Sequence, residues 1–242
     1  MAGDTVSCQQ HGAARATFVC NHLARKPGQR WFSFKPDKRH PFPDAWCSRC
    51  DALYERQGGW PDEGETPPIS VICHHCYIAG RDASAHSLTG RALGNWISFV
   101  SAAIGELKAK QADLCREYDL SRHERFDWDQ STGKLVFSNA GKPAVIADFE
   151  FIGSTAKASG TWLWSWANTT HLPRMRKAAT TVLELGELLD FRKLTTPLWR
   201  GDDIDGWEMA AIAAQLLNAP GVYRSPGDRG ASYLLIKRMR AA

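Results

Sequence analysis

Eight side chains able to bind a metal come in four close pairs within the first 80 residues: Cys8-x2-His11, Cys20-x-His22, Cys47-x2-Cys50 and Cys73-x2-Cys76. Six of the seven cysteines lie in the first 76 residues. Such crowding leaves three chemistries: disulfides, a thiol redox centre, or metal. Disulfides need an oxidising compartment. The start of the chain, MAGDTVSCQQHGAARATF, has no basic stretch followed by an apolar run, so the reading is no signal peptide and a reducing, cytoplasmic setting. A redox Cys-x-x-Cys needs a strand before it and a helix after it within a βαβ unit. Cys47 instead follows a turn-like Pro41-Phe-Pro-Asp-Ala-Trp46. Metal remains. Two Cys-x-x-Cys units with 22 residues between them are a strong metal signal, and eight ligands suffice for two closed tetrahedral Zn²⁺ sites.

Two pairings stay open. A sequential one puts Cys8, His11, Cys20 and His22 on one ion and the four later cysteines on the other. A cross-brace joins the first pair to the third and the second to the fourth. Sequential pairing closes shorter loops and is slightly favoured by chain entropy. His74 and His75 read as solvated residues between Cys73 and Cys76, with His75 a reserve ligand.

Eight ligands on two ions leave no coordination position for a substrate water, so the zincs read as structural. The zinc-deaminase pattern fails, because no proline directly precedes Cys47 and no histidine pair carries a glutamate two residues on. H-E-x-x-H, G-x-S-x-G, Walker and G-x-G-x-x-G motifs are also missing.

The formal charge of +4 hints at an acidic partner, but metallation weakens the hint. Six thiolates remove six charges and two Zn²⁺ restore four, leaving +2. No stretch approaches the roughly 20 apolar residues of a membrane span.

The chain divides by pattern into residues 1–80, a zinc-binding module, and residues 81–242, an α+β domain. The first part is rich in Cys, His, Pro and Gly with little apolar periodicity, as in small domains that need a staple. A long helix is expected over 86–119, with Leu93, Trp96, Ile97, Val100, Ile104, Leu107 and Leu114 at three- and four-residue steps. Cys115, within it, reads as a buried free thiol. Over 121–240 the period switches to two around Phe126 and Trp128, at 135–137, at 144–152 and at 161–167. Helices follow at 174–190 and from Asp203 to Asn218, with Asp202 or Asp203 as N-cap. A hairpin around 225–230 closes the chain. The fold class is α+β, an antiparallel sheet packed with two helices behind the long one.

Three surface features bear on recognition. Residues 25–40 carry Arg25, Lys26, Arg30, Lys35, Lys38 and Arg39 among Trp31, Phe32 and Phe34, a mix able to stack bases and neutralise phosphates. The simpler reading is a loop whose aromatics pack on the zinc core. Trp162, Trp164 and Trp166 share one strand face, read as core under the 174–190 helix, with a ligand groove as the alternative. Asp127, Asp129, Asp148 and Glu150 take the polar strand positions and read as a solvated sheet face.

The runs FDWDQSTGKLVFS, IGSTAKASGTWLWSWAN, DGWEMAAIAAQLL and GVYRSP resemble an uncharacterised bacterial family, a domain of unknown function, over residues 121–238. CQQHGAARATFVCNHL, PDAWCSRCD and ICHHCY resemble a recurrent bacterial segment. The resemblance implies a bacterial source and two modules, and supplies no catalytic residue. The expectation is a non-enzymatic recognition or adaptor protein whose partner is another protein. The rivals are a hydrolase-type enzyme with its site in the C-terminal domain, and a nucleic-acid binder using the 25–40 loop.

Overall fold

The computed structural model describes residues 4–37, 39–61, 65–123 and 125–242. The first part runs β1 (Thr5–Cys8), β2 (Gly12–Cys20), α1 (Asn21–Arg25), β3 (Phe32–Ser33), β4 (Ala45–Trp46), α2 (Ser48–Gln57), β5 (Ile69–Cys73) and α3 (His74–Ala85). β1 and β2 form a hairpin closing at Cys8↔Gly12, where Gly12 holds the positive φ of 67° that the turn requires. β5 then pairs antiparallel with the second half of β2, from Cys20↔Ile69 to Ala16↔Cys73. β4 joins β2 in parallel at Val19↔Ala45 and carries β3 on its other side. The core is small: Val19, Leu23, Trp31, Ala45, Trp46 and Tyr77, together with the sulfurs of Cys20, Cys47 and Cys50.

The second part begins with α4 (Gly90–Glu117), followed by β6 (Arg125–Asp129), β7 (Lys134–Asn139), β8 (Lys142–Ala156) and β9 (Thr161–Trp164). Short 3-10 turns at Ser165–Ala167 and Pro173–Arg176 lead into α5 (Lys177–Leu189) and α6 (Arg192–Thr195). β10 (Leu198–Arg200), α7 (Asp203–Leu216), β11 (Gly221–Gly227) and β12 (Gly230–Ala241) complete it. The sheet order is β10-β9-β8-β12-β11, and β7 with β6 extends from the other half of β8. Every pairing in it is antiparallel, and the fold is α+β as the pattern predicts.

One face of this sheet offers Ile152, Trp162, Trp164, Tyr233 and Leu235 to α4, α5 and α7. The other offers Leu135, Phe149, Phe151, Leu234 and Ile236, and the β6–β7 hairpin curls over it so that Trp128 meets Phe151 edge-on at 5.4 Å. Asp202 caps α7 with a capping box: its carboxylate accepts from Ile204 and Asp205 N–H, and Asp205 answers to the Asp202 N–H.

Four details depart from the sequence pattern. The strand predicted over 161–167 stops at Trp164, because β7 takes over that edge of β8 from Asp148 onward. Trp166 therefore sits in a 3-10 turn rather than in the strand, half-buried, and packs against the same core as Trp162 and Trp164. Cys115 is exposed; it lies one residue, about 100°, round α4 from the buried Leu114. Leu93 and Ile97 are exposed too, since the buried face of α4 centres on Trp96, Val100, Ala103 and Leu107. Glu150 is buried rather than solvated: it accepts from Ala178 N–H at the start of α5 (2.7 Å) and pairs with Lys237 (2.6 Å).

Candidate metal centres

The hairpin turn of β1–β2 carries Cys8 and His11, and the β5–α3 junction carries Cys73 and Cys76. Because β5 ends at Cys73 opposite Ala16, sheet register delivers the fourth pair onto the first. Cys8 Sγ lies 3.8 Å from Cys76 Sγ, and His11 Nδ1 lies 3.5, 3.3 and 3.6 Å from the sulfurs of Cys8, Cys73 and Cys76. All four ligand atoms fall within 4.8 Å of one another.

The second quartet sits at the other end of β2, a nine-residue strand roughly 30 Å long. Cys20 ends β2 and caps α1, placing His22 in the first turn; Cys47 ends the β4 approach and caps α2, placing Cys50 in its first turn. His22 Nδ1 lies 3.3 Å from Cys50 Sγ, Cys47 Sγ lies 3.9 Å from Cys50 Sγ, and again all four atoms lie within 4.8 Å.

Tetrahedral geometry decides what such spacings fit. Zinc–sulfur bonds of about 2.3 Å and zinc–nitrogen bonds of about 2.05 Å give tetrahedron edges of about 3.8 Å between sulfurs and about 3.6 Å between sulfur and nitrogen. The distances in both quartets lie close to those edges. A disulfide would need about 2.05 Å, and all seven cysteines are free.

Helix starts help. Cys47 and Cys73 both occupy N-cap positions, with Cys50 and Cys76 three residues on, so the sulfurs face the positive ends of α2 and α3. The Cys76 N–H donates to Cys73 Sγ at 3.4 Å. Without a cation the crowded sulfurs resist ionisation: burial, then the neighbouring Cys20 and Cys47, pushes the Cys50 thiol up to about 12. Burial, then contact with Cys73 and Cys8, does the same to Cys76. Backbone N–H groups of Gln10 and His11 pull the half-exposed Cys8 down to about 6. A bound divalent ion reverses this logic and deprotonates its thiol ligands outright.

The quartets join the first pair to the fourth and the second to the third. This nested order is neither the sequential pairing that loop entropy favours nor the cross-brace. Closing the longer loop between residues 8 and 76 costs only about 1–2 kcal/mol more than a short one. Pairing of β2 with β5 outweighs it. Both Cys-x-x-Cys units do lie between a strand and a helix, a context the turn-like residues before Cys47 conceal, and each still faces a Cys/His pair. His74 and His75 stay outside both quartets; the His74 ring lies tilted against Phe42 (5.5 Å) and His75 lies near His11 (5.0 Å).

The basic loop disperses. Trp31 is buried edge-on to Tyr77 at 4.9 Å and lies against Gly80, where a Cβ would approach its ring to 3.0 Å. Arg30 lies over Phe32 and reaches Asp190 at 3.8 Å. Arg25, Lys26 and Arg39 are exposed, and Lys38 lies outside the described residues. Phe34 (43% exposed) and Lys35 line a cleft of about 490 Å³ with Arg15, Phe18 and Phe42. Trp162 and Trp164 are fully buried, the latter donating to Lys193 O at 2.7 Å, and they form core rather than a groove.

Two features carry no clear sequence signal. His171 Nδ1 meets Ser165 Oγ at 2.8 Å and its Nε2 meets the Asn168 amide at 3.3 Å. Ser165 is fully buried and the imidazole stacks on Phe151 at 3.9 Å, so the pair cross-links the turn after β9. Between α4 and α7 runs an apolar groove of about 540 Å³, lined by Ile104, Leu107, Ala112, Cys115, Ile204 and Trp207. Its lining comes from two helices separated by the whole of β6 to β10 in sequence, so no local pattern announces it.

Residues 97–239, more than half of the chain, match the family of unknown function DUF6882. No curated protein and no solved structure matches. Both quartets lie outside the matched segment. Among the described residues no helix is long and apolar enough to cross a membrane.

Proposed function

The chain belongs to the DUF6882 family, and we propose that it is a non-enzymatic recognition protein stabilised by two structural Zn²⁺ ions, with another protein as its partner. In this reading residues 1–80 form the zinc-binding module and residues 81–242 the domain that carries the family fold. The observation that carries it is the closure of both quartets: each supplies four converging ligand atoms, so neither keeps a position for a substrate water. Three thiolates with one imidazole in a tetrahedral set suit Zn²⁺ better than hard cations. Six such thiols persist as ligands in a reducing compartment, which supports the cytoplasm.

The modules meet through polar contacts that fit a scaffold. Arg192 donates to Gly28 O at 2.6 Å, and Arg30 reaches Asp190 at 3.8 Å. The apolar α4–α7 groove is the recognition surface we favour on the family domain, because its lining is large, apolar and partly exposed.

Cobalt substitution tests the closed-site reading. The Co²⁺ protein should absorb as a tetrahedral sulfur–nitrogen complex, and added azide or cyanide should leave the spectrum unchanged. A spectrum that shifts with the added anion would reveal an open position and favour the enzyme reading.

A further inference from the structure

The two quartets share ligand chemistry and spacing but differ in access. In the quartet at the β2–α1 end, Cys20, Cys47 and Cys50 are each 2% exposed. In the hairpin quartet only Cys73 is buried; Cys8 and Cys76 are half-exposed and His11 is exposed. Cys8 ends β1, a four-residue strand whose partner in the ladder is the first half of β2, so its sulfur rides on a short hairpin tip. Cys8 Sγ and Cys76 Sγ are 3.8 Å apart and Cys47 Sγ and Cys50 Sγ 3.9 Å apart, so spacing does not distinguish the sites. Oxidants reach thiolates according to exposure.

We infer that the hairpin quartet is an oxidant-responsive site, in which hydrogen peroxide joins Cys8 to Cys76 as a disulfide and releases the ion while the buried quartet keeps its own. The inference rests on the metal reading above. One thiolate attacks the peroxide, the O–O bond breaks, and a sulfenic acid forms as hydroxide departs. The second thiolate attacks that sulfur, forming the S–S bond and releasing a second hydroxide. The two sulfurs give up two electrons in all, and two protons convert the hydroxides to water. Only His11 and Cys73 then remain as ligands, too few for a closed zinc site. α3, which starts at this site, also holds Asp82 against Arg200, so loss of the ion acts on the helix joining the two modules.

The test uses the full chain carrying Cys115→Ser, because exposed Cys115 would otherwise form intermolecular disulfides. The protein is loaded with Zn²⁺, treated with limiting hydrogen peroxide, and followed with a chromogenic zinc chelator and by peptide mapping. One of two equivalents should leave in a fast phase with a Cys8–Cys76 disulfide, and a thiol reductant with added Zn²⁺ should restore it. Release of both equivalents at one rate, or a first disulfide among Cys20, Cys47 and Cys50, would overturn the inference while leaving the metal reading intact. A loaded sample that retains no zinc before oxidant would overturn both.

Discussion

The five short strands between residues 5 and 73 enclose a core in which three of nine buried residues are cysteines, whereas the seven-stranded sheet is covered on both faces by apolar side chains. Among the described residues of the first part, Trp31, Trp46 and Tyr77 are the buried aromatic side chains. Around the second, Trp162, Trp164, Trp199 and Tyr233 interlock so closely that a Cβ on Gly153 would come within 2.3 Å of the Trp162 ring. The difference teaches where folding energy comes from. Burial at ~25 cal/mol per Å² suffices for the larger sheet, while the proposed zinc sites would supply what the smaller core lacks.

The largest expected effect follows from chelation. Structural zinc contributes on the order of 10 kcal/mol or more, so stripping the metal should unfold residues 1–80 and leave the seven-stranded sheet folded. Hydrogen exchange by mass spectrometry would report the two parts separately; an N-terminal part that stays fully protected would erase the contrast. Next in size, Trp162→Ala should cost the family domain about 3–5 kcal/mol in a thermal melt without changing zinc content. Trp31→Ala should weaken the zinc module instead, and unaltered stability there would return Trp31 to the surface reading.

A smaller effect is expected from pH. Burial, then the charge of Arg176, pulls His171 down to about 4, against about 6.5 in the unfolded chain. The unfolded state therefore binds the extra proton between those values, and folding of the metal-stripped protein should weaken as pH falls from about 6.5 to about 4. His171→Gln should flatten that slope in denaturant titrations. The smallest is Asp202→Ala, which removes the cap of α7 and should cost about 1 kcal/mol.

What the sequence reveals follows the same division. The long helix, the strands around Phe126 and over 144–152, the helix capped by Asp202 and the closing hairpin all declare themselves by period, because burial writes a period into the chain. The eight ligands of the quartets declare themselves by spacing. Their partition does not, since it depends on the register of β2 with β5, and Phe18, Ile69 and Val71 on those strands are exposed and carry no clean alternation. The end of the tryptophan strand hides for a related reason: only the switch of β8 from β9 to β7 stops it at Trp164.

That partition is the central claim, and zinc content of paired serine variants measures it. Nested quartets predict that Cys8→Ser with Cys76→Ser leaves one equivalent of zinc bound, since both residues serve one ion. Cys8→Ser with Cys20→Ser should leave none, because it damages both quartets. One equivalent remaining in the Cys8/Cys20 double variant, with none in the Cys8/Cys76 one, would contradict the nested fold and restore the sequential pairing.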